Sequence, residues 1–349
     1  MPLLSRAAYD EDHEAFRASV RRFLADEVVT DLDEWRAAGR FGEAVVSSAG
    51  EQGFLGTGVP EDLGGGGVDD PRFVAVLVEE AMAVGAAGLA LVLARHSGVC
   101  VSALLRAEAG QARDSWLSDA ADGSVLTVPA VLDDSLRTAC VPGAAAAGLF
   151  VLVLPGPGPA VVFLPRDRVE VVPVVGLLGG REAAAADIVV DSAVLADALR
   201  ISDGGDAMRR DLDVWSAVCA VAGAEAALDL TTAYVQERKV FGKPVAEFEN
   251  TRFRLAELGS EMLAADALTS YCLAQLAKGG PTGPQAAAAR LMSGRVHDQA
   301  VDQGMQLHGG YGYMREFPIS HAFADARFLR QASGPGADAR ASVALSLGL

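Results

Sequence analysis

The chain has 349 residues, 51% of them hydrophobic, enough for a large core divided among two or three packed regions. Its formal net charge of −17, with no basic cluster, argues against a nucleic-acid partner. Four widely separated cysteines, Cys100, Cys140, Cys219 and Cys272, show no C-x-x-C spacing, so neither a metal site nor a disulfide framework is indicated and buried reduced thiols are expected.

The amino-terminal run Tyr9-Asp10-Glu11-Asp12-His13-Glu14 lacks the basic and apolar regions of a signal peptide, so a cytoplasmic location is expected. From Asp12 to about Arg36, Phe16, Val20, Phe23 and Leu24 recur three and four apart among charges, the spacing of an amphipathic helix. Val45 to Gln52 reads as a short helix. Gly53-Phe54-Leu55-Gly56 through Gly64 to Gly67 reads as a turn-rich connection, without the strand-to-helix context of a dinucleotide fingerprint. Pro71 to Leu93 reads as one long Ala-rich helix with Glu79 and Glu80 on its polar side.

Between Leu126 and about Leu199 the period changes. The runs 150–154, 160–164, 169–173 and 187–190 are short and apolar with β-branched residues, and Pro and Gly separate them, as expected of strands. Pro155-Gly156-Pro157-Gly158-Pro159 supplies a loop between two of them. The uncharged run from Ala139 to Pro165 contains Pro142, Pro155, Pro157 and Pro159, which would break a spanning helix. It reads as a hairpin, and no membrane insertion is expected. Helical patterning resumes near 207–236, 246–278 and 283–307, with Lys278-Gly279-Gly280-Pro281-Thr282-Gly283-Pro284 as a stop-and-restart signal. Long helices with short connections predict an antiparallel bundle. The order is a helical region (1–125), a β region (126–200) and a helical region (201–349).

Two C-terminal segments carry the chemistry. Tyr234-x-x-x-Arg238-x-x-Phe241-Gly242-x-Pro244 precedes Phe248, and Gln306-x-His308-Gly309-Gly310-Tyr311-Gly312 precedes Asp325-Ala326-Arg327. With Gly53-Phe54-Leu55-Gly56 and Pro60-Glu61-Asp62-Leu63-Gly64-Gly65 in the N-terminal region, this ordered set resembles the acyl-CoA dehydrogenase family over nearly the whole chain. The resemblance implies a mainly α fold with a middle β-barrel-like domain and a C-terminal four-helix bundle. It also implies FAD as cofactor, an acyl-CoA thioester as substrate, α,β-dehydrogenation as the reaction, and electron-transfer flavoprotein as a possible partner. In the family FAD lies at a subunit interface. By resemblance Arg238, Phe241, Gln306, Gly309 and Gly310 would reach the FAD of a neighbouring subunit. A guanidinium offers a rigid fork of donors to pyrophosphate oxygens, glycines let backbone N–H groups approach an anion, and Phe241 offers an apolar face. Taken singly, Arg238 could simply end a helix, Gln306 to Tyr313 could be a glycine-rich helix end, and His308 could be a packing residue.

The segments with which a family member holds its own flavin are altered. The family's Thr-Glu-Pro becomes Thr127-Val128-Pro129, Asp133-Asp134-Ser135 and Cys140-Val141-Pro142 stand at the next two segments, and the interval between them looks shortened by about one hairpin. Ser333-Gly334-Pro335 replaces the family's Glu-Gly-Thr, so the glutamate base is absent. An alternative base position, about seven turns before Arg238, falls on Leu212. Its neighbours Asp211 and Asp213 are each about 100° out of register and read as solvated residues near a helix start. No catalytic base is assigned, and Ser333 is expected to be structural. The expected function is that of a base-lacking subunit beside a complete relative in a heterotetrameric flavoprotein. The alternatives are a homo-oligomeric flavoenzyme with an atypical base or oxygen chemistry, and a non-catalytic scaffold.

Overall fold

The computed structural model describes residues 9–334 and 336–349. The N-terminal region is helical: α1 (Glu11–Glu27), α2 (Leu32–Ala38), α3 (Ala44–Glu51), α4 (Arg72–Ala83), α5 (Ala87–Arg95), α6 (Val101–Arg106) and α7 (Gln111–Ala121). A π turn, His96–Cys100, joins α5 to α6. Asp10 caps α1 by accepting from the backbone N–H groups of Asp12 and His13.

Two helices expected as single elements are each divided. The amphipathic run from Asp12 breaks between α1 and α2 at the Val28-Val29-Thr30 stretch, where successive β-branched residues disfavour helix. The run from Pro71 breaks at Val84-Gly85-Ala86. There Gly85 turns the chain at φ 81° and its carbonyl accepts from Arg36 Nη2 at 2.7 Å. Glu79 and Glu80 are not on a solvated face. Arg17 donates to Glu80 Oε1 at 2.6 Å and to Glu79 Oε2 at 3.0 Å, and Arg21 Nε reaches Glu80 Oε2 at 2.7 Å. Phe16 packs edge-on against Phe54 and Phe73, closing α1 over α4 beside this ion-pair cluster.

Seven strands follow: β1 (Thr127–Val131), β2 (Arg137–Val141), β3 (Leu149–Val153), β4 (Val161–Pro165), β5 (Glu170–Pro173), β6 (Ala186–Val189) and β7 (Leu199–Ile201). They form a four-stranded sheet in the order β1-β3-β4-β7 and a three-stranded sheet in the order β2-β6-β5. The Ala139–Pro165 run is therefore the end of β2 plus the β3–β4 hairpin, whose antiparallel register pairs Val153 with Val161. Every residue of β3 is buried, which explains its unbroken apolar sequence: both faces of the strand are covered.

The C-terminal region contains α8 (Gly205–Glu237), α9 (Glu249–Leu276), α10 (Gly283–His308), α11 (Pro318–Ala332) and α12 (Gly336–Ser346), with a two-residue ribbon of β8 (Lys239–Val240) and β9 (Lys243–Pro244) after α8. Thr282 opens α10 through a reciprocal capping box with Gln285. α8, and α5 through α6, are long and apolar enough to cross a membrane by length and composition; 72% and 89% of their respective apolar windows are buried inside the protein. Three regions meet at one joint. Gly180 N–H donates to Asp325 Oδ1 on α11, and Gly88 N–H donates to Glu182 Oε1, both at 2.7 Å. Gly179 lies so close to α11 that a Cβ there would stand 2.0 Å from the Ala324 carbonyl oxygen.

Candidate functional site

The ends of α8 and α10 meet on one surface. Tyr234, in the last turn of α8, stacks on His308 at 3.9 Å between ring centroids and donates its hydroxyl to the His308 carbonyl at 3.4 Å. His308 Nδ1 lies 2.8 Å from the Gly304 carbonyl, and burial lowers its pKa. A neutral ring donating through Nδ1 satisfies that geometry, so His308 packs and hydrogen-bonds. Arg238 follows Tyr234 by one turn, and its guanidinium lies 5.7 Å from the centre of the Tyr311 ring. Two long helices thus place Arg238, Gln306, Gly309 and Gly310 around one patch, all exposed.

Phe241 stands in the turn between β8 and β9. Both turn residues, Phe241 at φ 52° and Gly242 at φ 83°, have the positive φ of a tight hairpin turn. A bulky residue disfavours that region. Phe241 is nevertheless 94% exposed, and Tyr313 is 89% exposed. No atom lies within 4 Å of where a Cβ would stand on Gly309 or Gly310, so a ligand can approach the backbone closely there, although the Gly309 N–H itself donates to the Gln306 carbonyl. Among the described residues no carboxylate forms an ion pair with Arg238, which leaves its fork of donors to an incoming anion. The surface fits the adenine and pyrophosphate portion of a dinucleotide: a cation, open glycine backbone and an apolar face.

Ser333 is half-buried and forms the C-cap of α11. Its hydroxyl donates to the Leu329 carbonyl at 2.7 Å, and its carbonyl accepts from Arg290 Nη1. The preceding carbonyl, that of Ala332, accepts from Arg95 Nη2 at 2.5 Å. Two guanidiniums therefore hold consecutive carbonyls at a helix C-terminus, where the dipole favours positive charge. Arg95 is only 5% exposed and its Nε lacks a hydrogen-bond partner. Burial pulls its pKa down to about 10.

Asp211 and Asp213 differ from expectation. Neither is a solvated residue: Asp211 Oδ2 lies 2.9 Å from Arg106 Nη1, and Asp213 Oδ1 lies 3.0 Å from Arg290 Nη1. Burial raises both pKa values, opposed by these arginines. The same Arg290 links Asp213 to the Ser333 carbonyl, so the aspartate helps hold the loop through the guanidinium.

The altered flavin-side segments are likewise engaged within the protein. Thr127 is fully buried; its N–H and hydroxyl meet His96 Nδ1 at 3.0 and 2.8 Å, while His96 Nε2 contacts the Ala120 carbonyl at 3.0 Å. Cys140 N–H donates to Asp187 Oδ1 at 2.8 Å, and Asp133 Oδ1 accepts from Ser135 and Arg137 N–H groups in a turn. Pro335 lies outside the described residues. Cys100, Cys219 and Cys272 are buried free thiols and Cys140 is partly buried. Sequence reasoning missed Arg95, Arg290 and His96. Only Arg95 carried a signal, as a lone charge closing the apolar run Ala87-Gly88-Leu89-Ala90-Leu91-Val92-Leu93-Ala94.

Comparison with known proteins shows the family and the fold. Residues 10–124 match the family model described as the acyl-CoA dehydrogenase N-terminal domain, and residues 214–347 match that of the C-terminal domain. The chain is 24% identical to a probable acyl-CoA dehydrogenase of Bacillus subtilis, over 97% of this chain and 98% of the relative. It is also 24% identical to the CarC subunit of the caffeyl-CoA reductase–Etf complex of Acetobacterium woodii, over 91% of this chain and 93% of that one. An acyl-CoA dehydrogenase structure from Geobacillus kaustophilus superposes with a TM-score of 0.88 at 22% identity, covering 99% of this chain and 100% of the other.

Proposed function

The chain belongs to the acyl-CoA dehydrogenase family, whose members bind FAD, and from that premise we propose that it serves as the base-lacking subunit of a heteromeric complex that dehydrogenates an acyl-CoA thioester. The observation that carries this reading is an asymmetry between the two surfaces. The patch of Arg238, Phe241, Gln306, Gly309 and Gly310 is open, whereas the Ser333 loop is held by Arg95 and Arg290 and offers no carboxylate of its own.

Removal of the weakly acidic proton alpha to a thioester carbonyl requires a general base. A serine hydroxyl already donating to a backbone carbonyl cannot act as one, and losing such a base typically costs about 10²- to 10⁴-fold in rate. FAD, when bound, supplies the acceptor for the hydride from the beta carbon. This chain's part is to hold: Arg238 donates to pyrophosphate oxygens, Gly309 and Gly310 let the cofactor approach the backbone without side-chain obstruction, and Phe241 covers an apolar face. The complete partner supplies the carboxylate base and the acyl-CoA pocket. Electron-transfer flavoprotein is the proposed electron acceptor, a reading supported by the relative that forms part of an Etf complex.

The test is the flavin-to-protein ratio and assembly mass of the purified chain, alone and coexpressed with a full-length relative carrying the Glu-Gly-Thr segment. The expected result is flavin only in the mixed complex, at about one FAD per two chains. Arg238→Ala should weaken flavin retention there by about 10- to 100-fold, the worth of a charge-assisted hydrogen bond. Stoichiometric flavin with turnover in the chain alone would overturn the proposal.

A further inference from the structure

A cleft of about 430 Å³ opens between α4, α8 and α9. Its floor is apolar: Ala75 from α4, Val218, Val221 and Ala222 from α8, and Leu273 from α9, with Ala274 at the rim. None of the residues assigned above to the flavin surface or the Ser333 loop lines it. The volume falls in the range of small-molecule sites, which are mostly apolar with a few placed polar groups.

The charges on its wall decide which ligand it suits. Arg72 is held by Asp70 at 2.5 Å, and Glu79 is held by Arg17 at 3.0 Å and by the Tyr9 hydroxyl at 2.7 Å. Asp266 stands apart. It is half-buried in the wall, and its contact is the Ser270 hydroxyl at 3.5 Å, with no cation within ion-pair distance among the described residues. Asp69 adds a second carboxylate at the exposed rim. The lining cation outside these pairs, Lys278, is exposed and twelve residues from Asp266, about 18 Å along the α9 direction. A half-buried carboxylate beside an apolar floor favours a ligand that brings both a positive charge and a hydrocarbon body.

We propose that this cleft binds small amphipathic amines, with the ammonium group on Asp266 and the alkyl portion on the Ala75, Val218, Ala222 and Leu273 floor. A protein of net charge −17 attracts cations everywhere on its surface, so the test must separate the cleft from the field. Calorimetric titration of the full chain with octylamine, octanol and octanoate provides the comparison, with Asp266→Asn and Ala274→Trp as variants. Ala274 is exposed at the rim, so a bulky side chain there fills the cleft without disturbing the core or the net charge. Circular dichroism melts verify that both variants fold.

The expected result is one saturable octylamine site, at least tenfold tighter than octanol or octanoate. Asp266→Asn should shrink that preference to threefold or less, and Ala274→Trp should abolish the site. Absence of saturable octylamine binding, equal affinity for octanoate, or binding undiminished by Ala274→Trp would overturn the assignment. The readout needs neither flavin nor turnover, so its failure is independent of the proposed function.

Discussion

Asp325 and Glu182 are two buried carboxyls at the joint of the three regions, 7% and 0% exposed. Burial, reinforced by the negative charge of Glu182, raises the Asp325 pKa to about 7. The protonated form is therefore favoured in the fold, and its stabilisation is complete below pH 3.8 and lost as pH rises through 7. His96 and His297 act in the opposite sense. Burial lowers each to about 4, so the stability they contribute is present above pH 6.5 and lost as pH falls through 4. Between pH 4 and 6.5 the two histidines make stability rise with pH while Asp325 works against them. Replacing Asp325 with Asn keeps an acceptor for the Gly180 N–H but removes the proton. Urea midpoints should then rise more steeply through the acid window and lose their decline above 6.5, with the variant ahead by about 1–3 kcal/mol at pH 8. Parallel pH profiles for the two proteins would refute this account.

At the scale of elements, the α5–α6 pair approaches α8 through one small residue. A Cβ on Gly98, in the π turn, would stand 2.1 Å from the indole of Trp215, which is 1% exposed. Overpacking of this kind costs about 1–3 kcal/mol, and Trp215→Ala should cost about 3–5 kcal/mol by leaving a cavity. The two changes compensate in space, so Gly98→Ala with Trp215→Ala should destabilise by at least 1 kcal/mol less than the sum, measured by denaturant unfolding. Strict additivity would show that the two residues do not meet. That contact was invisible in the sequence, although α8, which carries Trp215, was not. α8, α9 and α10 each fall within three residues of their expected ends because long apolar periodicity and the Lys278–Pro284 punctuation mark them. The breaks after α1 and α4 escaped because the apolar spacing runs on across them, and a single glycine at 85 or a β-branched triplet at 28–30 is a weak signal within it.

For the whole molecule, the open patch was legible and the packing around Ser333 was not. Arg238, Phe241, Gln306, Gly309 and Gly310 form two short segments fixed to helix ends, so a linear pattern finds them. The Ser333 surroundings depend on Arg95 and Arg290, which lie 238 and 43 residues from Ser333 in sequence and meet it only by tertiary packing. The patch also carries a cost that argues for use. Phe241 is held at φ 52° with 94% of its surface exposed, a conformation and an exposure that stabilise nothing within this chain. Asn tolerates positive φ far better. Phe241→Asn should therefore leave the isolated chain as stable or raise it by up to about 1 kcal/mol. If the ring packs on a partner subunit and its flavin, the same change should weaken assembly with the complete relative by at least tenfold, as read by sedimentation at several concentrations. Unchanged assembly would remove Phe241 from the interface. A chain destabilised by the substitution would mean instead that the ring supports its own β8–β9 turn, and the exposed aromatic would then carry no argument for a partner.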